Sequence, residues 1–107
     1  MNDLGLDKEE VKEIKEVIER YVEIEAAYIF GSRAKGNYKR GSDIDIAVKG
    51  KNITIDTIAS LLNKLEEETT LPYFFDVIHY DTCSTKELVE HIDRVGVCIY
   101  KKGGPKC

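Results

Sequence analysis

The sequence holds no apolar run approaching the ~20 residues that a membrane-spanning helix requires, so no membrane anchor is expected. Its first residues, Met1-Asn2-Asp3-Leu4-Gly5-Leu6-Asp7, are acidic and lack the apolar centre of a signal peptide. Cysteine is scarce and odd in number. Cys83, Cys98 and Cys107 show no metal-site spacing, which argues against a disulfide framework and for a reducing compartment. Basic residues are outnumbered 16 to 20, and a net charge of −4 argues against a general nucleic-acid binder, which would carry a surplus of Lys and Arg. There are two histidines, His79 and His91, and neither stands in a recognisable arrangement with Ser or Cys; both are expected to be structural. Internal repeats and low-complexity segments are absent. The expectation is a soluble, cytoplasmic protein without direct nucleic-acid binding.

What is present describes one α+β domain, a small mixed β-sheet covered by helices. A length of 107 residues with 42% hydrophobic and 34% charged side chains suits a single domain, with its core at about residues 8–101 and a flexible tail at 102–107. Asp7 with Glu10 predicts a capping box, and Leu6 is placed to staple against Val11. Val11, Ile14, Val17, Ile18, Tyr21 and Val22 then recur at helical spacing. Thr54 is expected to open a second helix with Ile55, Ile58, Leu61, Leu62 and Leu65 inward. The acidic run Glu66-Glu67-Glu68 at its end opposes the helix dipole, and no local pattern explains it. After Pro72, residues 73–80 read as a strand. Ser84 with Glu87 predicts the cap of a third helix carrying Leu88, Val89, Ile92 and Val95; Gly96 ends it, and Val97-Cys98-Ile99-Tyr100 reads as a last strand.

The informative stretch is residues 31–45. The apolar run Ala26-Ala27-Tyr28-Ile29-Phe30 predicts a buried strand that ends in a Gly31-Ser32 turn. Ten residues later comes Asp43-Ile44-Asp45-Ile46-Ala47-Val48, whose alternation puts Ile44, Ile46 and Val48 on one face and both aspartates on the other. Like charges one strand repeat apart, roughly 6.5–7 Å between Cα atoms, repel unless a cation lies between them. Carboxylates and phosphates together are the ordinary ligands of Mg²⁺, and paired ions serve in-line displacement at phosphorus. Gly31 permits a sharp turn, Ser32 adds a hydroxyl, and the turn's N–H groups can cradle an anion. Arg33, Lys35, Lys39 and Arg40 put four positive charges in the same loop with no acid among them, which makes Arg33 a further phosphate-binding candidate. Asn37-Tyr38 stands where a Walker motif needs Lys and then Ser or Thr, so a P-loop is excluded. Asp76, alone in an apolar strand, calls for a partner because a buried charge is costly unless paired or metal-bound. It is the third acidic site residue. Asp81, at the strand end, is assigned to turn or helix-entry duty.

Gly31-Ser32, a ten-residue spacer and Asp43-Ile44-Asp45, with Ser42 before the first aspartate, resembles the nucleotidyltransferase superfamily of DNA polymerase β. At this length the chain is similar to the minimal nucleotidyltransferases, the antitoxin partners of HEPN–MNT toxin–antitoxin modules, with a compatible element order over residues 11–100. That resemblance implies a polymerase β-like fold and a third carboxylate at Asp76 that binds metal or takes a proton from the attacking hydroxyl. It also implies ATP as the donor, two Mg²⁺ ions during turnover, and a tyrosine hydroxyl of a HEPN ribonuclease toxin as the acceptor. AMP attachment would silence the toxin. The small size agrees with a hetero-oligomer in which the partner supplies the acceptor or part of the site. Two alternatives stay open: nucleotidyl transfer to a small molecule or RNA, and a non-catalytic antitoxin that acts by binding alone.

Overall fold

The computed structural model describes residues 4–36 and 43–103. The expectations for Lys39, Arg40 and Ser42, and for the tail from residue 104, lie outside the described residues. The elements run α1 (Lys8–Ile18), β1 (Ala26–Phe30), α2 (Ser32–Lys35), β2 (Ile44–Lys49), α3 (Ile55–Glu67), β3 (Phe75–His79), a 3-10 turn (Tyr80–Thr82), α4 (Lys86–Val95) and β4 (Val97–Lys101). The strands form one mixed sheet of order β3-β2-β1-β4, with β1 antiparallel to both β2 and β4 and β2 parallel to β3. The parallel pair requires a crossover, which α3 provides.

Alternation along the strands divides the sheet into two unlike faces. Ala27 and Ile29 of β1, Ile44, Ile46 and Val48 of β2, Phe75 and Val77 of β3, and Ile99 of β4 join Ile14, Val17 and Ile18 of α1 and Leu61 and Leu65 of α3 in the main core. Most of these are fully buried, at roughly 1.5–3 kcal/mol each for a large aliphatic side chain. The other face carries Phe30, Ala47 and Ile78 under Leu88 and Ile92 of α4. At its far end Lys49 lies between two tyrosines, 4.8 Å from the Tyr28 ring centroid and 4.3 Å from that of Tyr80, and Tyr80 Oη donates to Asp93 Oδ1 at 2.6 Å. Its near end holds the aspartates.

Local signals read from the sequence hold at the starts of α1 and α3. Asp7 and Glu10 form the reciprocal capping box of α1, and Thr54 with Thr57 forms that of α3. Three readings are corrected. Helix α1 stops at Ile18 rather than continuing through Val22; Val22 is 74% exposed, while Tyr21 reaches inward and shares a hydrogen bond with Ser60 Oγ at 2.7 Å. Helix α4 is capped at Thr85 without a side-chain hydrogen bond, so Ser84 and Glu87 form no capping box. Ile55, expected inward, is exposed, and Thr57 is buried in the first turn of α3 instead, where its hydroxyl donates to Glu23 Oε2 at 2.7 Å. The acidic run at the end of α3 has a long-range explanation: Glu68 accepts from Arg20 at 2.6 Å and from Lys64 at 3.3 Å. Among the described residues Cys98 is disulfide-bonded and Cys83 is a free thiol. Among the described residues no helix is long and apolar enough to cross a membrane.

Candidate active site

The site begins where β1 runs out. Gly31 adopts φ 77°, ψ −152°, a region essentially closed to residues with a side chain. The four-residue α2 follows at once and ends on Gly36 in the left-handed conformation at φ 84°. Lys35 N–H closes the first turn on Gly31 C=O at 3.1 Å, so the N–H groups before it have no acceptor within the helix. The register opposes Phe30 to Asp45, which brings the turn against β2. A Cβ added to Gly31 would overlap the Asp45 carboxylate; only glycine lets the backbone lie there.

Asp45 is paired in register with Asp76 across the parallel β2–β3 ladder. Paired residues of a parallel ladder project to the same side, and neighbouring strands lie about 4.8 Å apart. Asp43 immediately precedes β2, two residues before Asp45, and is exposed. The three carboxylates share an electrostatic field: burial first, then the charges of Asp76 and Asp43, push Asp45 above the usual carboxylate range. A divalent cation relieves that strain, and an all-oxygen, negatively charged donor set suits Mg²⁺. Among the described residues no three Asp, Glu, His or Cys side chains are drawn into a finished metal cage; the aspartates share a face and a field rather than a coordination shell. Asp76 is exposed, so the reason given for it above, a buried charge in need of a partner, does not apply. Register brings it to Asp45.

Arg33 has a different task from the one expected. It is 2% exposed, and its guanidinium donates to Leu4 C=O at 2.9 Å and Gly5 C=O at 3.4 Å while lying 4.7 Å from the Tyr73 ring centroid. Leu4 and Tyr73 belong to the main core side of the sheet, opposite the aspartates. Arg33 ties the N-terminal segment to the base of α2. Replacing it with alanine leaves two carbonyls without this donor and is expected to cost about 2–4 kcal/mol, seen as a lower midpoint in urea. Lysine, lacking the planar fork that stacks on Tyr73, should rescue only partly.

A histidine expected to be structural also lies against the turn. His91 Nε2 accepts from Gly31 N–H at 3.0 Å, and the ring stands edge-on to Phe30 with centroids 6.2 Å apart. Burial, then Lys35 and Arg94, hold the imidazole below the ordinary histidine value, which keeps it neutral and able to accept. The signal in the sequence was faint: His91 falls three residues after Leu88 and one before Ile92, on the inward stripe of α4. A group whose folded pKa is depressed contributes stability above its unfolded value, about 6.5, and that contribution is lost as pH falls through the folded value. His91→Ala is expected to lower kcat/KM for nucleotide about five- to tenfold by loosening the turn, and the wild type should approach the variant as acid protonates the imidazole. Initial rates at varied nucleotide and pH test this. His79, by contrast, is structural: its Nε2 bonds Gly50 C=O at 2.9 Å, and Asp81 Oδ1 accepts from Gly50 N–H at 3.1 Å.

Fold and site together describe an enzyme of the nucleotidyltransferase class. The family model described as "Polymerase beta, Nucleotidyltransferase" matches residues 12–103, and the chain belongs to that family. It is 31% identical over 100 residues to the Haemophilus influenzae protein named "Probable protein adenylyltransferase MntA", covering 92% of this chain and 86% of that one. Its structure is similar to that of a toxin–antitoxin crystallised with AMP-PNP, with TM-score 0.70 and 23% identity over 92% of this chain and 76% of the other. It is also similar to the Shewanella oneidensis complex of a tri-AMPylated HEPN toxin with its MNT antitoxin, with TM-score 0.69 and 20% identity over 90% and 73% of the two chains. At these identities the two solved structures speak for the fold.

Proposed function

We propose that the protein transfers AMP from ATP to a tyrosine hydroxyl of a partner HEPN ribonuclease toxin and thereby acts as its antitoxin in the cytoplasm. The observation that carries this reading is the in-register pairing of Asp45 with Asp76 on the face against which the Gly31 turn lies. It is supported by the relatives, one named as an adenylyltransferase and one seen with an AMPylated toxin.

Asp43, Asp45 and Asp76 would hold Mg²⁺. When bound, it supplies charge neutralisation on the triphosphate and alignment of the attacking and leaving oxygens. The order of elements across the site sets the direction of the reaction. The Gly31-Ser32 turn, on β1, holds the β- and γ-phosphates through the Ser32 hydroxyl and the first N–H groups of α2. The α-phosphorus lies over β2. The acceptor approaches from β3, where the exposed Asp76 carboxylate takes the hydroxyl proton. A bond forms from the acceptor oxygen to the α-phosphorus as the bond to the bridging oxygen of the β-phosphate breaks, and pyrophosphate leaves over the turn. Most of the acceleration comes from fixing these groups in line.

Intact-mass measurement of the HEPN partner after incubation with ATP, Mg²⁺ and this protein tests the proposal. Increments of one AMP residue are expected. Inhibition of the toxin with no added mass would establish neutralisation by binding alone, and adenylate found only on RNA or a small molecule would replace the protein acceptor.

A further inference from the structure

Phe74 is 75% exposed, an unusual state for a phenylalanine beside a phosphate-handling site. Alternation carried from β3 back to the residue just before it sets where its ring goes. Tyr73, Phe75 and Val77 pack with the main core, so Phe74 and Asp76 project to the carboxylate face. The backbone of Phe74 is anchored, because its C=O accepts from Ile44 N–H at 2.9 Å. With Ile44 paired to Phe75, the same ladder sets Phe74 next to Asp43. An exposed aromatic ring thus flanks two of the three carboxylates at the sheet edge, across β2 from the Gly31 turn.

The geometry points to Phe74 as an acceptor-binding residue: its ring receives the aromatic side chain that carries the attacking hydroxyl, and so selects a phenolic acceptor over an aliphatic one. This rests on the proposed transfer to a protein hydroxyl. Phosphates held at the β1 turn leave the β3 edge for the acceptor, and Phe74 projects from that edge one strand repeat from Asp76. A phenol ring laid edge-on or offset against Phe74 gains apolar burial and the favourable aromatic pair geometry, and it directs the hydroxyl toward Asp76. A serine or threonine hydroxyl has no ring to place there.

The test is steady-state AMP transfer to the partner toxin by Phe74→Ala, Phe74→Leu and Phe74→Tyr, with the affinity for a fluorescent ATP analogue measured in parallel. Because the ring is exposed, thermal midpoints should stay close to wild type. Phe74→Ala should raise KM for the toxin about tenfold, with analogue affinity within about twofold of wild type; Phe74→Leu should fall between, and Phe74→Tyr should restore binding. An unchanged KM for the toxin in Phe74→Ala and Phe74→Leu would overturn the inference while leaving the transfer reaction standing. Weakened analogue binding with unchanged KM for the toxin would also overturn it, and would assign the ring to the adenine base. No transfer by the wild type would remove the acceptor reading itself.

Discussion

Asp45→Asn is expected to lower AMP transfer by at least about 10³-fold, the several kcal/mol that a metal-held phosphoryl site supplies, without unfolding the protein. Asp45 is central: it sits in register with Asp76, two residues from Asp43, and under the Gly31 turn. The same residue makes a thermodynamic prediction. Its carboxylate is raised by burial, by Asp76 and by Asp43, so the folded, metal-free protein binds that proton more tightly than the unfolded chain. An acid with a raised folded pKa contributes stability that is full below its unfolded value and lost as pH rises through the folded value. Metal-free protein should therefore weaken as pH climbs out of the ordinary carboxylate range, and Asp45→Asn should flatten that slope. Denaturant midpoints against pH, in chelator, give the comparison. A variant that loses activity while gaining metal-free stability near neutrality is the signature of a site held together against its own charge.

Gly31→Ala carries the second large effect. At φ 77° and ψ −152° a side chain costs about 1–3 kcal/mol in backbone strain, and the added methyl would also overlap the Asp45 carboxylate. Either the turn or the aspartate must move. A displacement near 1 Å at the reacting centre costs about 100-fold, so kcat/KM should fall by at least that much, together with a measurable drop in the urea midpoint. Gly36→Ala offers a control, because it has a similar φ of 84° but nothing lies within 4 Å of the added Cβ; it should lose stability with a much smaller loss of activity.

The parts legible in the sequence were those encoded by neighbours in the chain. Strand alternation separated Ile44, Ile46 and Val48 from Asp45 correctly, and Asp7 and Thr54 announced their helices through short-range hydrogen bonds. What the chain joins over long distances was not legible. Nothing near Arg33 says that its partners are Leu4, Gly5 and Tyr73, so its place in a basic loop suggested phosphate. His91 lies sixty residues from Gly31 and declares itself only as a polar residue on an inward stripe. Glu68 looked unfavourable until Arg20 closed on it. The burial argument for Asp76 does not hold for an exposed side chain, and the parallel β2–β3 register, a long-range pairing, is what sets it opposite Asp45.

The central claim is that Asp43, Asp45 and Asp76 act as one cation cradle beside the Gly31 turn. Mn²⁺ binding followed by paramagnetic resonance, with a non-hydrolysable ATP analogue present, reads that cradle without requiring turnover. Tight Mn²⁺ in the wild type and an affinity at least about tenfold weaker in each single Asp→Asn variant, one lost charge-assisted ligand apiece, is the predicted result. Equal Mn²⁺ affinity in the wild type and all three variants would contradict it.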